Sequence, residues 1–335
     1  MNLLRSLPYF LLAVLLTVVA PVFGEDDQGY LDRPPVFIDN QYDFPLTGMG
    51  LYVPEGGLGL PDIDITSLAS DGFRKDGTNV QPGLDVKTTT TRVSALYGLH
   101  NGWAGGISLP YERTKVRGEI GGFPATSTPS TLGDIALLGK KLLWNDNNGN
   151  TLVATAGIEL PTGKDDAIFD QANPATNGYY SGSTQRLPIS WQPGSGSFDG
   201  YLALSYGRAG HRLSYVALVA TKLHSSGFDD SKIGDIFIGS INGTYGIGRN
   251  MAAALGLVVR SQQDDSYPNA PAPGVESPLL AGTTEHGTTL YLNPSIRAKV
   301  FGRLVVGVGV NYPLIKPDDG LVPKTNAFLI FYPSL

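Results

Sequence analysis

Residues 152–160 have the sequence LVATAGIEL, in which apolar side chains alternate with polar or small ones. One parity carries Leu152, Ala154, Ala156, Ile158 and Leu160, and the other carries Thr155, Gly157 and Glu159. Successive side chains of a β-strand point to opposite faces of its sheet. The alternation therefore predicts a strand with one apolar and one polar face.

The same alternation recurs in later segments of the chain. Its apolar parity is carried by Phe198, Leu202, Leu204, Tyr206, Leu213, Tyr215, Ala217, Val219, Leu223, Leu290, Leu292, Ile296, Ala298, Val300, Leu304, Val306, Val308, Val310 and Tyr312. Two segments fit less well. Pro61 interrupts a first strand at residues 58–69, and the apolar parity of residues 233–246 changes after Ile238, which predicts a β-bulge near Gly239.

Short and long connections alternate between the strands. The five short ones are residues 100–102, 145–150, 208–211, 247–250 and 302–303, and the six long ones are residues 70–84, 118–131, 162–197, 225–231, 263–287 and 315–324. Five plus six connections join twelve strands and leave both termini at the short-turn end. We therefore predict an all-β fold at residues 58–335: a transmembrane antiparallel up-and-down β-barrel with periplasmic turns and extracellular loops. A soluble β-sandwich is the alternative, although its strands are usually about 5 to 6 residues long.

The composition is unusual for a soluble enzyme. Only 16% of the 335 residues are charged, while 43 are glycine and 16 are tyrosine. Cysteine is absent, which excludes disulfides, thiolate metal ligands and a cysteine nucleophile, and four histidines argue against a histidine-built metal site. The net charge of -6 argues against a nucleic-acid partner, because phosphate binding requires a basic face.

The N-terminus has the pattern of a secretory signal peptide. Arg5 supplies a positive charge, residues 7–20 are almost all apolar, and residues 22–24 form a cleavage site, so we predict removal of residues 1–24. An uncleaved anchor is the alternative, but the run is short for a helix of about 20 residues. Residues 25–57 precede any convincing strand, and we expect them to form either a plug in the barrel or a periplasmic tether.

Aromatic residues near strand ends or on the apolar parity predict the girdles that flank the lipid-facing band of a barrel. They are Trp103, Tyr111, Trp144, Tyr206, Tyr245, Tyr312 and Tyr332. We expect these side chains to contact outer-membrane lipid.

Four short motifs follow one another along the chain. They are LGDIA at residues 132–136, GKK at 139–141, LPTGK at 160–164 and PGSGSFD at 193–199. In this order they resemble the outer-membrane β-barrel family associated with the meta-pathway of phenol degradation, over roughly residues 85–335. The resemblance implies a barrel that moves aromatic or other hydrophobic compounds across the outer membrane. Such barrels commonly end in an aromatic residue that the barrel-assembly machinery reads, whereas three residues follow Tyr332 here.

Charged residues of the polar parity are expected to line the lumen. They are Asp134, Glu159, Asp199, Lys222, Asp235, Arg260, Arg297 and Lys299. The acids lie mainly on strands four to six and the bases largely on strands seven to ten. Two arrangements remain open: opposed walls that create a transverse field in a pore, or pairs that hold a packed interior together. Asp134 and Asp235 each lie in a Gly-Asp-Ile sequence at a strand start.

Other classes of function have weaker support. A hydrolase needs a nucleophile beside a base, and only His224 with Ser225 and Ser226 offers that combination. Four Asp-Asp pairs at residues 165–166, 229–230, 264–265 and 318–319 could bind calcium, but they lack the ligand spacing of a calcium loop. An adhesive or structural barrel would use the long loop at residues 162–197.

We therefore predict a bacterial outer-membrane channel for the passive uptake or efflux of small hydrophobic or aromatic solutes. We expect no catalytic residue, metal or cofactor. The expected partners are outer-membrane lipid, the solutes themselves and the barrel-assembly machinery.

Overall fold

The computed structural model describes most of the chain after residue 52. The described residues are 53–54, 56–57, 59–79, 83–120, 123–146, 149–167, 187, 191–208, 213–227, 230–247, 250–266, 287–300, 304–317 and 319–333. The predicted signal peptide and all but four residues of the segment 25–57 lie outside these ranges, so both remain predictions. Within these ranges, no helix is long and apolar enough to cross a membrane.

The described residues form β-strands almost throughout. The strands are β1 (Gly59–Lys75), β2 (Thr78–Asn79), β3 (Asp85–Gly98), β4 (Trp103–Ile120), β5 (Phe123–Ser127), β6 (Ser130–Leu132), β7 (Ile135–Asn145), β8 (Asn150–Leu160), β9 (Asp199–Arg208), β10 (Leu213–Leu223), β11 (Ile236–Gly246), β12 (Met251–Gln262), β13 (Gly287–Val300), β14 (Leu304–Ile315), β15 (Gly320–Pro323) and β16 (Asn326–Pro333).

Twelve of these strands form a closed antiparallel barrel, which confirms the predicted fold. They are β1, β3, β4, β7 to β14 and β16, paired in chain order. The barrel closes because β1 pairs with both β3 and β16. The two pairings of β1 differ in length, since residues 59–71 pair with β3 but only Ile63–Thr66 pair with β16. We call this second pairing the seam.

The long-loop end contains more strand than the sequence predicted. β1 continues to Lys75 and turns back into β2 through Asp76 and Gly77, which have φ values of 51° and 73°. β4 continues to Ile120 and pairs with β5 and β6. The predicted loops at residues 70–84 and 118–131 are therefore partly hairpin. Pro61 does not interrupt β1, because it pairs with Ala95 inside the ladder.

The predicted apolar parity faces outward from the barrel. Large apolar side chains exposed on this surface include Ile158, Leu202, Leu204, Leu213, Val219, Leu255, Ile296 and Val308. Such a surface is stable in hydrocarbon, where a closed barrel leaves no backbone group unpaired. The architecture is that of outer-membrane barrels.

The predicted bulge near Gly239 is wrong. β11 pairs with β10 and β12 over its whole length without a register shift. Ile236 and Ile238 face inward and are buried, while Ile241 faces outward and is 55% exposed. The apolar parity changes because the lumen itself is apolar at this height. A register shift occurs instead in β7, between Leu142 and Trp144.

Spin labelling of single cysteines checks this register. The chain has no native cysteine, so Ile238→Cys and Ile241→Cys each create one labelling site. We expect the nitroxide at position 241 to collide often with oxygen dissolved in the lipid, and the nitroxide at position 238 to be protected. Equal oxygen accessibility at both positions would contradict the continuous register.

An apolar cluster fills part of the lumen. It consists of Ala136, Leu138, Tyr201, Ala203, Val216, Leu218, Ala220, Ile236, Ile238, Val258 and Tyr291, with Leu68 of β1 packed against it. Glycines make room for large side chains on neighbouring strands: a Cβ on Gly157 would collide with the Tyr201 ring. We call this set, including Leu68, the apolar constriction. Side chains from β1, from β7 and from β9 to β13 meet in it, so the barrel is not an open tube here.

Candidate functional site

Part of the long loop between β8 and β9 lies inside the extracellular mouth of the barrel. We call residues 191–197 the inner segment. Trp191 is 2% exposed and packs in a cluster with Leu84, Val86, Val116, Ala167 and Leu187. The Gln192 side chain accepts a hydrogen bond from the Ala167 amide at 2.9 Å and donates to the Leu187 carbonyl at 2.9 Å. The loop is thus folded back on itself and anchored to the inner wall.

Asp134 connects the inner segment to the start of β7. One carboxylate oxygen accepts a hydrogen bond from the Gly163 amide at 2.8 Å. The other accepts from the Ser195 amide at 2.7 Å and from the Ser195 hydroxyl at 2.8 Å. A Cβ on Gly163 would lie 2.7 Å from the Cα of Gly194, so only glycine permits this approach. Three of the four motifs noted in the sequence therefore meet at this contact, which we call the Asp134 latch.

The charged residues beside the latch form a compact group. Lys222 Nζ lies 2.6 Å from Glu159 Oε2 and 3.8 Å from Asp199 Oδ2. Asp199 also accepts hydrogen bonds from the Ser197 hydroxyl at 2.7 Å and the Ser225 amide at 3.2 Å. In the described contacts of this group, the acids and the base lie on three consecutive strands, β8 to β10, rather than on two opposed walls.

The other predicted lumen residues occupy separate places. Asp235 lies in the loop before β11, where it accepts a hydrogen bond from the His224 amide at 2.9 Å and pairs with Lys232 at 3.1 Å. This position is at the rim rather than on a lumen-facing strand. Arg297 and Lys299 lie on the inward parity of β13 near its periplasmic end. Arg260 faces inward near the extracellular end of β12 and donates to Gln262 Oε1 at 2.6 Å.

Two cavities lie on either side of the inner segment. The lumen cavity has a volume of about 190 Å³ and contacts Gln192, Pro193 and Ser195, together with Asp134, Glu159 and Lys222. The mouth cavity has a volume of about 160 Å³ and contacts Trp191, Tyr291 and Leu321. Both cavities are lined by Leu68, Thr88, Arg260 and Gln262. These four residues therefore lie between the two cavities.

Several residues of this site were not selected from the sequence. Arg92 and Glu112 line the lumen cavity. Arg92 Nη1 lies 3.6 Å from Oδ1 of the buried Asp64. The sequence does indicate that Arg92 faces inward, because Val93 and Ala95 form the apolar, outward parity of β3. It indicates the same for Glu112, because Leu109 and Tyr111 lie on the outward parity of β4. Trp191 and Gln192 lie in an irregular loop, where no periodicity could indicate that they point inward.

Most of the predicted girdle residues lie on the outer surface. Trp103, Trp144, Tyr206, Tyr245 and Tyr312 are exposed there, Tyr111 is half-buried on the outward parity of β4, and Lys141 Nζ lies 5.0 Å from the centre of the Trp103 ring. The exception is Tyr332. It is 5% exposed and packs inward with Val305, Phe328 and Ile330, so the structure removes it from the outer girdle.

The residues considered for hydrolysis and for calcium have structural contacts. His224 is buried, with Nε2 3.8 Å from Asp199 Oδ2, whereas Ser225 and Ser226 are exposed. Asp265 accepts hydrogen bonds from the Gly234 amide and the Gln262 side chain, and Asp319 accepts one from the Asp76 amide. Asp229 and Asp318 lie outside the described residues.

Comparison with known proteins gives one family and several similar folds. The family model described as "Putative MetA-pathway of phenol degradation" matches residues 69–312. No curated protein matches the chain.

Three of the solved structures that match the chain are as follows. An outer membrane channel from Pseudomonas putida F1 is 12% identical, with a TM-score of 0.63, over 87% of this chain and 98% of that one. The toluene transporter TodX of P. putida is 10% identical, with a TM-score of 0.41, over 85% and 91%. The β domain of the Bordetella autotransporter BrkA is 12% identical, with a TM-score of 0.46, over 83% and 99%. Of these three, only the first scores high enough to establish a shared fold.

Proposed function

Because the chain belongs to the family described as "Putative MetA-pathway of phenol degradation", we propose that it is an outer-membrane channel through which small hydrophobic or aromatic solutes diffuse passively. The observation that carries the proposal is the pair of adjoining cavities in the extracellular half of the lumen. In this proposal a solute enters from the mouth, passes the inner segment and moves through both cavities, whose walls include residues of the apolar constriction.

The size and lining of the cavities favour small solutes with an apolar part. Engineered protein cavities of about 150 Å³ bind benzene, so either cavity is large enough for a single aromatic ring. Trp191, Tyr291 and Leu68 supply apolar surface in the mouth cavity. In the lumen cavity, the charged side chains of Asp134, Glu159 and Lys222 provide polar contacts for a polar substituent on the ring.

The apolar constriction, which shares residues with the walls of both cavities, favours the same class of solute. Ala136 and Ile236 belong both to the constriction and to the wall of the lumen cavity. A narrow apolar segment of a channel expels its water, and the dry segment then blocks the passage of water and ions. An apolar solute can enter the dry segment without this cost in free energy. We therefore expect low ion conductance together with measurable passage of aromatic solutes.

The proposal also includes two further partners, membrane lipid and the barrel-assembly machinery. The exposed apolar band would contact membrane lipid, and the last strand, ending Phe331-Tyr332-Pro333, would be read by the barrel-assembly machinery. Export would use the predicted signal peptide at residues 1–24. A catalytic role is not part of the proposal, because His224 is buried while the adjacent serines are exposed.

Uptake into vesicles tests the proposal. The purified barrel is placed in vesicles whose outer leaflet is lipopolysaccharide, and entry of a labelled single-ring aromatic compound is compared with entry into empty vesicles. We expect uptake to be several-fold faster with the barrel and to be slowed by Leu68→Trp, which narrows the passage between the cavities. Leu223→Trp adds the same ring on the exposed outer surface and serves as the matched control. Uptake equal to that of empty vesicles would leave only a structural or adhesive role.

A further inference from the structure

Arg260 lies between the mouth cavity and the lumen cavity. It lies on the inward parity of β12 and belongs to the lining of both cavities. A solute that moves directly from one cavity to the other would therefore pass beside this guanidinium group. A single positive charge at such a point affects both the binding and the selection of solutes.

A chain of hydrogen bonds holds the Arg260 guanidinium group in place. Its Nη2 donates to Gln262 Oε1 at 2.6 Å, and Gln262 Nε2 donates to Asp265 Oδ1 at 3.0 Å. The Gly234 amide donates to the same Asp265 oxygen at 2.7 Å. Gln262 is 6% exposed and Asp265 is 4% exposed, so the chain is sheltered from water. The amide of Gln262 fixes the direction of the guanidinium group without carrying a charge of its own.

The mouth cavity combines this cation with an aromatic wall. Trp191 and Tyr291 line it together with Leu68 and Leu321. The cavity volume of about 160 Å³ admits one ring. Asp319 also lines this cavity, and its carboxylate accepts a hydrogen bond from the Asp76 amide at the tip of the β1–β2 hairpin.

We infer that the mouth cavity is a binding site for single-ring aromatic carboxylates, with the carboxylate on Arg260 and the ring against Trp191 and Tyr291. An arginine fork matches a carboxylate through two parallel hydrogen bonds, which neither a neutral hydroxyl nor an ammonium group can reproduce. The inference deepens the proposed function, because it identifies the charged subclass of aromatic solutes that the channel would select.

Calorimetric titration with three probes of the same ring tests the site. The probes are benzoate, benzyl alcohol and benzylamine, which carry negative, neutral and positive substituents. We expect benzoate to bind at least about tenfold more tightly than the other two, since hydrogen bonds to charged groups are the strong ones. Arg260→Gln should lower benzoate affinity by about tenfold to a hundredfold, and Arg260→Lys should retain part of it.

The control variant is Arg113→Gln, which removes the same charge near the extracellular end but from an exposed outward position on β4. It should bind benzoate as the unmodified protein does. Heat-dependent migration in gels verifies that each variant is folded. If Arg260→Gln does not fold, Gln262→Leu replaces it, because it removes the hydrogen bond that orients the guanidinium group and should weaken benzoate binding several-fold.

Two outcomes would overturn the inference: equal affinity for benzoate and benzyl alcohol, or unchanged benzoate affinity in Arg260→Gln. Vesicle uptake separates this failure from failure of the channel itself. Aromatic uptake without preferential benzoate binding would leave the channel proposal intact and remove the carboxylate site. Benzoate binding without uptake would support the site and remove the channel.

Discussion

Asp134→Asn is expected to raise the single-channel conductance of the barrel at least about twofold, because it breaks the latch that holds the inner segment in the mouth. Both carboxylate oxygens of Asp134 accept hydrogen bonds from loop groups. An asparagine side chain has one oxygen and one NH₂ group, so at least one loop amide would face another donor. Hydrogen bonds to a charged group contribute about 1.5 to 3 kcal/mol each, so their loss shifts the loop substantially away from its anchored position. Planar-bilayer recordings measure the effect.

Asp235→Asn provides a matched control for the latch. Asp235 lies in the same Gly-Asp-Ile sequence at the start of β11, but its carboxylate contacts the His224 amide and Lys232 rather than the inner segment. Its neutralisation should leave the conductance within the range of the unmodified protein. Equal conductance changes in the two variants would show that loss of a rim charge, and not release of the inner segment, is responsible.

Ile241→Arg is expected to lower the free energy of unfolding by about 2 to 4 kcal/mol, the usual cost of arginine on the lipid face at the middle of a membrane. Ile241 lies halfway along β11 and faces outward. When the barrel folds, the guanidinium group must move from water into hydrocarbon. The apolar outer surface around position 241 offers it no opposite charge. Urea titration of the barrel in lipid vesicles, followed by tryptophan fluorescence, measures the loss.

The control for depth is Met251→Arg. Met251 also faces outward and is exposed, but it is the first residue of β12 and lies at the periplasmic end of the barrel. Near the interface the cost of arginine falls to about 0 to 1 kcal/mol. Similar losses for both variants would mean that Ile241 does not lie within the hydrocarbon layer.

The strand pattern could be predicted from the sequence because its cause is local. Side chains at 152, 154, 156, 158 and 160 share one face of β8 whatever the rest of the chain does, and the apolar set marks the face in contact with lipid. The number of strands followed from the alternation of short turns and long loops. The Asp134 latch could not be derived in this way, since Asp134 and Ser195 are separated by 61 residues and meet only in the folded barrel.

Two predictions failed for a shared physical reason, which is that part of the lumen is apolar. The inward Ile236 and Ile238 resembled lipid-facing residues, and their change of parity with Ile241 was read as a bulge. In β16, residues 328–332 are apolar on both faces, so no alternation distinguishes the inward Tyr332 from an outward one. A barrel of twelve strands is narrow enough for side chains to fill part of its interior, and hydrophobic packing then competes with the polar lining of wider pores.

The short seam between β1 and β16 has a consequence for how the barrel is made and how it opens. Its two strands are separated by almost the entire chain, so the ring can be completed only after the last strand has been synthesised. Four paired positions of β16 hold it, followed by the Asn326 side chain, which accepts a hydrogen bond from the Ala69 amide at 2.6 Å. Beyond Asn326, β15 continues the junction by pairing with Ser70, Phe73 and Arg74 of β1, with a register shift between Ser70 and Phe73. Segments whose backbone pairing is short and irregular open locally at lower free energy than long regular ladders. Amide protons at this short and interrupted junction should therefore exchange with solvent before those of the continuous ladders β1–β3 and β12–β13, and local opening of the closed barrel should begin there.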